Sequence, residues 1–195
     1  MKRTCVSFIV VLLVATFFGC SGPRYSQVSP EAKDYHPKRI GVFPVDVGTY
    51  VEAKGVIDKT IAGVLVDKGW FSNVITGDTI SNQIQADKEF KNVYLEYMSK
   101  LKEVNFSDPE LSRKIGEKMG IDAFLLANLE YWNYTKVDDD KVAKVDLRIK
   151  MVDAASGKIL WRAGHQEVET YMLIKPKLPD VAKALVNKMI KEMPH

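Results

Sequence analysis

The sequence predicts an α/β domain, with helices packed on a single mixed sheet, and three patterns carry that prediction. Short β-branched or apolar runs at residues 39–47 and 121–129 are separated by stretches whose apolar residues recur every three or four positions. Residues 142–151 alternate between apolar and charged, as in a strand with one wet face. A last helical stripe closes the chain. Strands separated by helices should lie parallel with right-handed crossovers, and the later hairpins antiparallel.

The first strand is expected at Arg39-Ile40-Gly41-Val42-Phe43-Pro44-Val45-Asp46-Val47, ended or bulged by Pro44, which cannot donate to a ladder. Val56, Ile57, Ile61, Val64 and Leu65 then form one face of a helix closing at Gly69, with Asp58, Lys59 and Asp67 on its other faces. A brief strand follows over residues 71–76, and Gly77-Asp78 reads as a turn. Phe90, Val93, Tyr94, Tyr97, Met98, Leu101 and Val104 make a helical stripe among lysines and glutamates. Such a stripe serves as core or, because Tyr and Met are enriched at interfaces, as a partner-facing surface. Ser107-Asp108-Pro109-Glu110 announces the next helix, with Ser107 as the capping hydroxyl, and Gly120 stops it.

The nearly all-apolar residues 121–129 suit a strand covered on both faces. On the alternating strand, Val145, Leu147, Ile149 and Met151 face inward, and Lys144, Asp146, Arg148 and Lys150 face outward. Residues 153–157 form a turn, and residues 158–163 return as the hairpin partner. Leu178, Val181, Ala182, Leu185, Met189 and Met193 mark the C-terminal helix.

Ahead of this domain, Lys2 and Arg3 precede an apolar run over residues 6–18, and Gly19-Cys20-Ser21-Gly22 follows. A charged head, an apolar run and small residues are the order of a secretory signal. As a helix that run spans about 20 Å, short of the ~30 Å hydrocarbon core, so it reads as a removed leader. The expected organisation is a leader over residues 1–19, a flexible tether over 20–38 and a single domain over 39–195. Three prolines, three serines and no periodic face suggest the tether, which could extend at most ~60 Å.

The Gly19-Cys20 junction resembles the bacterial lipoprotein signal, although Phe17 and Phe18 depart from the residues usual there. The resemblance implies that Cys20 is the lipidated N-terminal residue of the mature chain and that Ser21 directs it to the outer membrane. Each buried methylene contributes about 0.8 kcal/mol, so several acyl chains anchor firmly where one would not. Residues 39–44, residues 120–126 and the hairpin Asp153…Gly157…Trp161 are similar to a broad group of envelope lipoproteins. Its members include the curli-assembly lipoprotein, the penicillin-binding-protein activator lipoprotein and the N-terminal domain of TolB. That likeness implies protein–protein work in the envelope: activation, assembly or scaffolding of another machine.

Chemistry is sparse. Lys2 and Arg3 leave with the leader, which reduces the formal charge from +3 to +1 and gives no footprint for nucleic acid. Cys5 leaves as well, and with Cys20 lipidated no thiol remains for a disulfide, a metal or a nucleophile. His36, His165 and His195 have no metal-ligand spacing, and His165 reads as a surface or edge residue. Asp138-Asp139-Asp140 lacks the alternating ligands of a calcium loop and reads as a solvated hairpin tip. No phosphate loop or nucleophile elbow occurs. The expectation is a non-enzymatic protein without metal or cofactor, which binds another envelope protein, with a homo-oligomer as a further assembly. Tyr94, Tyr97, Trp132 and Tyr134 are the candidate partner-binding residues, and a small-molecule or peptidoglycan-fragment binder is the alternative.

Overall fold

The computed structural model describes residues 24–103 and 105–195. The leader, Cys20, the first residues of the expected tether and Val104 lie outside the described residues. Six strands form one sheet in the order β1-β6-β5-β4-β2-β3. They are β1 (Tyr25–Val28), β2 (Arg39–Val42), β3 (Asn73–Ile75), β4 (Ala123–Val137), β5 (Asp140–Asp153) and β6 (Ile159–Thr170). Among the described residues five α-helices accompany them: α1 (Val56–Lys68), α2 (Gly77–Ala86), α3 (Lys88–Glu103), α4 (Pro109–Met119) and α5 (Leu178–Met189). As the pattern predicted, β2 is parallel to both β3 and β4, and the pairs β4–β5 and β5–β6 are antiparallel.

Alternation along the strands gives the sheet two different faces. Ile40, Val42, Leu125, Val145, Leu147, Ile149, Met151 and Trp161 face α1 and α5 and form the larger core. Phe124, Leu126 and Val152 point the other way, into a second core with Ile80 of α2, Phe90, Tyr97 and Leu101 of α3, and Ile115 of α4. The second cover is partial. Beyond Leu126 and Val152, the same face of β4 and β5 continues as Asn128, Lys150 and Arg148, which are half-buried or exposed.

Local chemistry explains where elements begin and end. Gly69 and Gly120 close α1 and α4 in the left-handed conformation, at φ 65° and 63°. Asp138 and Asp139 both adopt positive φ, 47° and 71°, which joins β4 to β5 as the solvated hairpin tip expected from the aspartate run. At the 153–157 turn, Gly157 sits at φ 70° with the Pro109 backbone so near that a Cβ would fall 2.8 Å from the Pro109 Cα.

Four details differ from the sequence reading. Residues 25–28 belong to the sheet: β1 pairs antiparallel with β6 from Tyr25↔Gly164 to Val28↔Trp161, and the Ser26 hydroxyl accepts from the Trp161 indole at 3.1 Å. Residues 29–38 are held too, since the half-buried Tyr35 hydroxyl donates to the Asp122 carbonyl at 2.8 Å and the Asp153 carboxylate at 3.0 Å. The described part of the expected tether is therefore part of the domain. Gly77 begins α2 and is not a turn. Asp58 is buried at the start of α1, because the α2 backbone at Gly77 packs directly over its carboxylate. The α4 cap is Asp108, whose carboxylate accepts from Glu110 and Leu111 N–H, whereas Ser107 donates to the Gly157 carbonyl.

Candidate functional site

Where α3 stops covering the sheet, a cleft of about 580 Å³ opens beside the C-terminal end of β2. Ligands of open α/β sheets favour crevices beyond the carboxyl ends of parallel strands. Tyr94, Met98 and Lys102 of α3 form one wall, Asp46 stands after β2, and Asn128 of β4 and Lys150 of β5 line the opposite side. Helical spacing brings Tyr94, Met98 and Lys102 to one side of α3. Strand alternation does the same for Leu126 and Asn128, and the register sets Lys150 across from Leu126.

The charges here are unequal in their surroundings. Asp46 accepts from Lys102 at 2.7 Å and from Gly48 N–H at 3.2 Å, and these bonds hold its carboxyl below the usual range. Lys150 has no ion-pair partner among the described residues. Burial lowers its pKa, and the neighbouring Arg162 guanidinium lowers it further. Burial, with a smaller contribution from Asp46, raises the Tyr94 hydroxyl, and the ring stacks on Phe43 at 5.7 Å. An uncompensated ammonium beside an amide and a phenol can bind a carboxylate or carbonyl oxygen of a partner. It does not assemble a nucleophile with a base.

A second cleft of about 610 Å³ lies at the other end of β2, where β2 and β4 begin, between α4 and residues 35–39. Its polar wall is a closed network. Arg39 donates to Asp122 at 2.7 Å, and Asp122 also accepts from the N–H groups of Lys38 and Arg39. Those bonds hold Asp122 below the usual carboxylate range, the Arg39 side chain contributing most. Tyr35 is pushed far up, first by burial and then by Asp153. Every group here has a partner, so the network fastens residues 35–39 to the sheet. No group of three or more His, Cys, Asp or Glu able to hold a metal occurs among the described residues.

The four candidate partner-binding residues do not share a surface. Tyr94 lines the first cleft. Tyr97 is 0% exposed, with its hydroxyl against Ser107 at 2.8 Å, and Trp132 is 4% exposed in the larger core. Both are structural, because the inward side of α3 and of β4 carries them into the interior. Tyr134 lies toward the β4–β5 tip, where it donates to the Pro176 carbonyl, meets Tyr171 edge-on and carries Lys175 over its ring at 4.2 Å. His165 is half-buried between strands and accepts from the Arg24 N–H at 3.1 Å, because β1 covers what would otherwise be the sheet edge. Sequence reasoning missed the Lys150–Asn128–Asp46 cleft. Its only signal was the wet face of β5, on which nothing distinguishes Lys150 from its neighbours.

No family model matches the sequence, and no curated protein matches it. Solved structures do. PelC from Paraburkholderia phytofirmans, solved as a dodecamer, superposes with a TM-score of 0.55 at 15% identity, over 88% of this chain and 98% of its own. Lipoprotein GNA1162 from Neisseria meningitidis superposes with a TM-score of 0.51 at 19% identity, over 78% of this chain and 97% of its own. The likeness is one of fold. It spans nearly the whole length of each neighbour.

Proposed function

We propose that this chain is a lipid-anchored accessory protein of the bacterial envelope, acylated at Cys20 and working through protein–protein binding. The reading rests on one conjunction: an apolar leader ending in Gly19-Cys20 stands directly ahead of a domain that shares its fold with lipoprotein GNA1162. The cleft beside Tyr94 and Lys150 is its partner-facing surface, and it has no catalytic, metal or cofactor role. Ser21 favours the outer membrane, with the domain on the periplasmic side. The narrower resemblance to the curli-assembly, penicillin-binding-protein-activator and TolB groups fits this reading.

Intact mass of the protein purified from membranes should show a chain beginning at Cys20 with acyl groups attached, and Cys20→Ala should abolish fatty-acid labelling in cells. A parent chain that carries no label and retains its leader would remove the proposal. A second assembly, a ring of identical copies, is favoured by the fold likeness to a protein solved as a dodecamer. Sedimentation as a monomer at every concentration would exclude it.

A further inference from the structure

Met172, Leu173 and Ile174 are 88%, 95% and 86% exposed, three consecutive large apolar side chains in the connection between β6 and α5. Isolated surface apolar residues need no explanation, but three consecutive ones at the tip of a connection do. Val137 and Val168 are exposed at the same end of the sheet. The connection is held in place from behind: Tyr171 N–H donates to the Lys141 carbonyl, and Tyr134 grips it through the Pro176 carbonyl and the Lys175 ammonium. Its apolar tip is thus presented outward on a braced base.

A second observation concerns where the N-terminal chain arrives. β1 is antiparallel to β6, so the backbone enters Tyr25 from the end at which β6 finishes. Arg24 marks that point, with its N–H on His165 and its guanidinium on Asp146 at 3.4 Å. Cys20 is four residues before Arg24, at most about 14 Å of chain. From His165 to the end of β6 at Thr170 is about 17 Å of strand. The chain leading back to Cys20 therefore approaches β1 from the end of the sheet that carries the apolar tip, and stretched straight along β6 it would stop about 3 Å short of the level of Thr170.

We propose that Met172, Leu173 and Ile174 dock into the lipid bilayer beside the Cys20 anchor, as a second membrane contact that fixes the orientation of the domain. This rests on the reading of Cys20 as lipidated. The several acyl chains on Cys20 would supply the attachment by themselves, so what the tip adds is a second point of contact that sets the angle of the domain. The charge in this region is mixed, since Lys175 and Lys177 follow the apolar tip and Asp138, Asp139 and Asp140 form the β4–β5 hairpin tip. Docking is therefore apolar and depends little on lipid charge.

The test uses the acylated protein on vesicles of phosphatidylethanolamine and phosphatidylglycerol at 3:1 by moles, with and without brominated acyl chains. Leu173→Trp should emit at shorter wavelength and be quenched at least threefold more than Val66→Trp. Val66 is an exposed residue near the C-terminal end of α1, ahead of β3, whose pairing with Arg39 puts it at the opposite end of the sheet. The same quenching is expected in phosphatidylcholine vesicles. An unquenched Leu173→Trp on vesicle-bound protein overturns the proposal. So does an assembly that falls apart in Met172→Ser/Leu173→Ser/Ile174→Ser while Leu173→Trp stays unquenched, since the tip would then join copies of the chain. If intact mass shows no acyl group, the Cys20 reading fails by itself, and vesicles added in excess still decide whether the tip inserts.

Discussion

Asp122 shows how much one side chain can organise. It receives two backbone N–H groups and the Arg39 guanidinium, and through them it secures the start of β2 against the start of β4. Its folded pKa is depressed, so its contribution is complete above the ordinary carboxylate value near pH 4 and disappears as pH falls through the folded value. Asp122→Asn should destabilise the domain by about 1–2 kcal/mol at pH 7, the scale of lost charge-assisted hydrogen bonds. Urea unfolding at pH 7 and pH 3 should show the gap between parent and variant narrowing in acid. A gap that widens in acid would refute the assignment. Asp58 works in the opposite sense: burial raises its pKa, so its ionised form is a cost at neutral pH.

At the scale of elements, the strength of the apolar pattern decided what could be read. The alternation of β5 and the three- and four-residue spacing of α1 and α5 were legible, because each element buries one face deeply. β1 was not. Its four residues are exposed or half-buried, and backbone pairing with β6 and the Ser26–Trp161 bond hold it, neither of which leaves a periodic signature. The error at Tyr97 and Trp132 has a related cause: periodicity identifies a face of a helix or strand, and only the tertiary fold decides whether that face meets the core or a partner. β1 also depends on a gap. The Tyr25 ring lies directly over Gly164, where a Cβ would collide with it. Gly164→Val should displace β1 and cost about 1–3 kcal/mol, the usual range for overpacking. Hydrogen exchange should then quicken at residues 25–28 while β4 and β5 stay protected, and unchanged exchange there would show that β1 does not need the gap.

Across the whole molecule, protection should follow sheet position. β4 and β5 lie inside the sheet with cores on both sides, and their amides should exchange slowest, through global unfolding alone; those of the edge strands β1 and β3 should open locally and faster. Equal rates across all six strands would contradict this hierarchy. The antiparallel docking of β1 has a further mechanical consequence. Were Cys20 to carry the lipid proposed above, only four residues would separate it from Tyr25, the first residue of the sheet, and the body would have no long leash. It would then not swing out to meet a distant target, and whatever it engages would have to come within the molecule's own height of the bilayer.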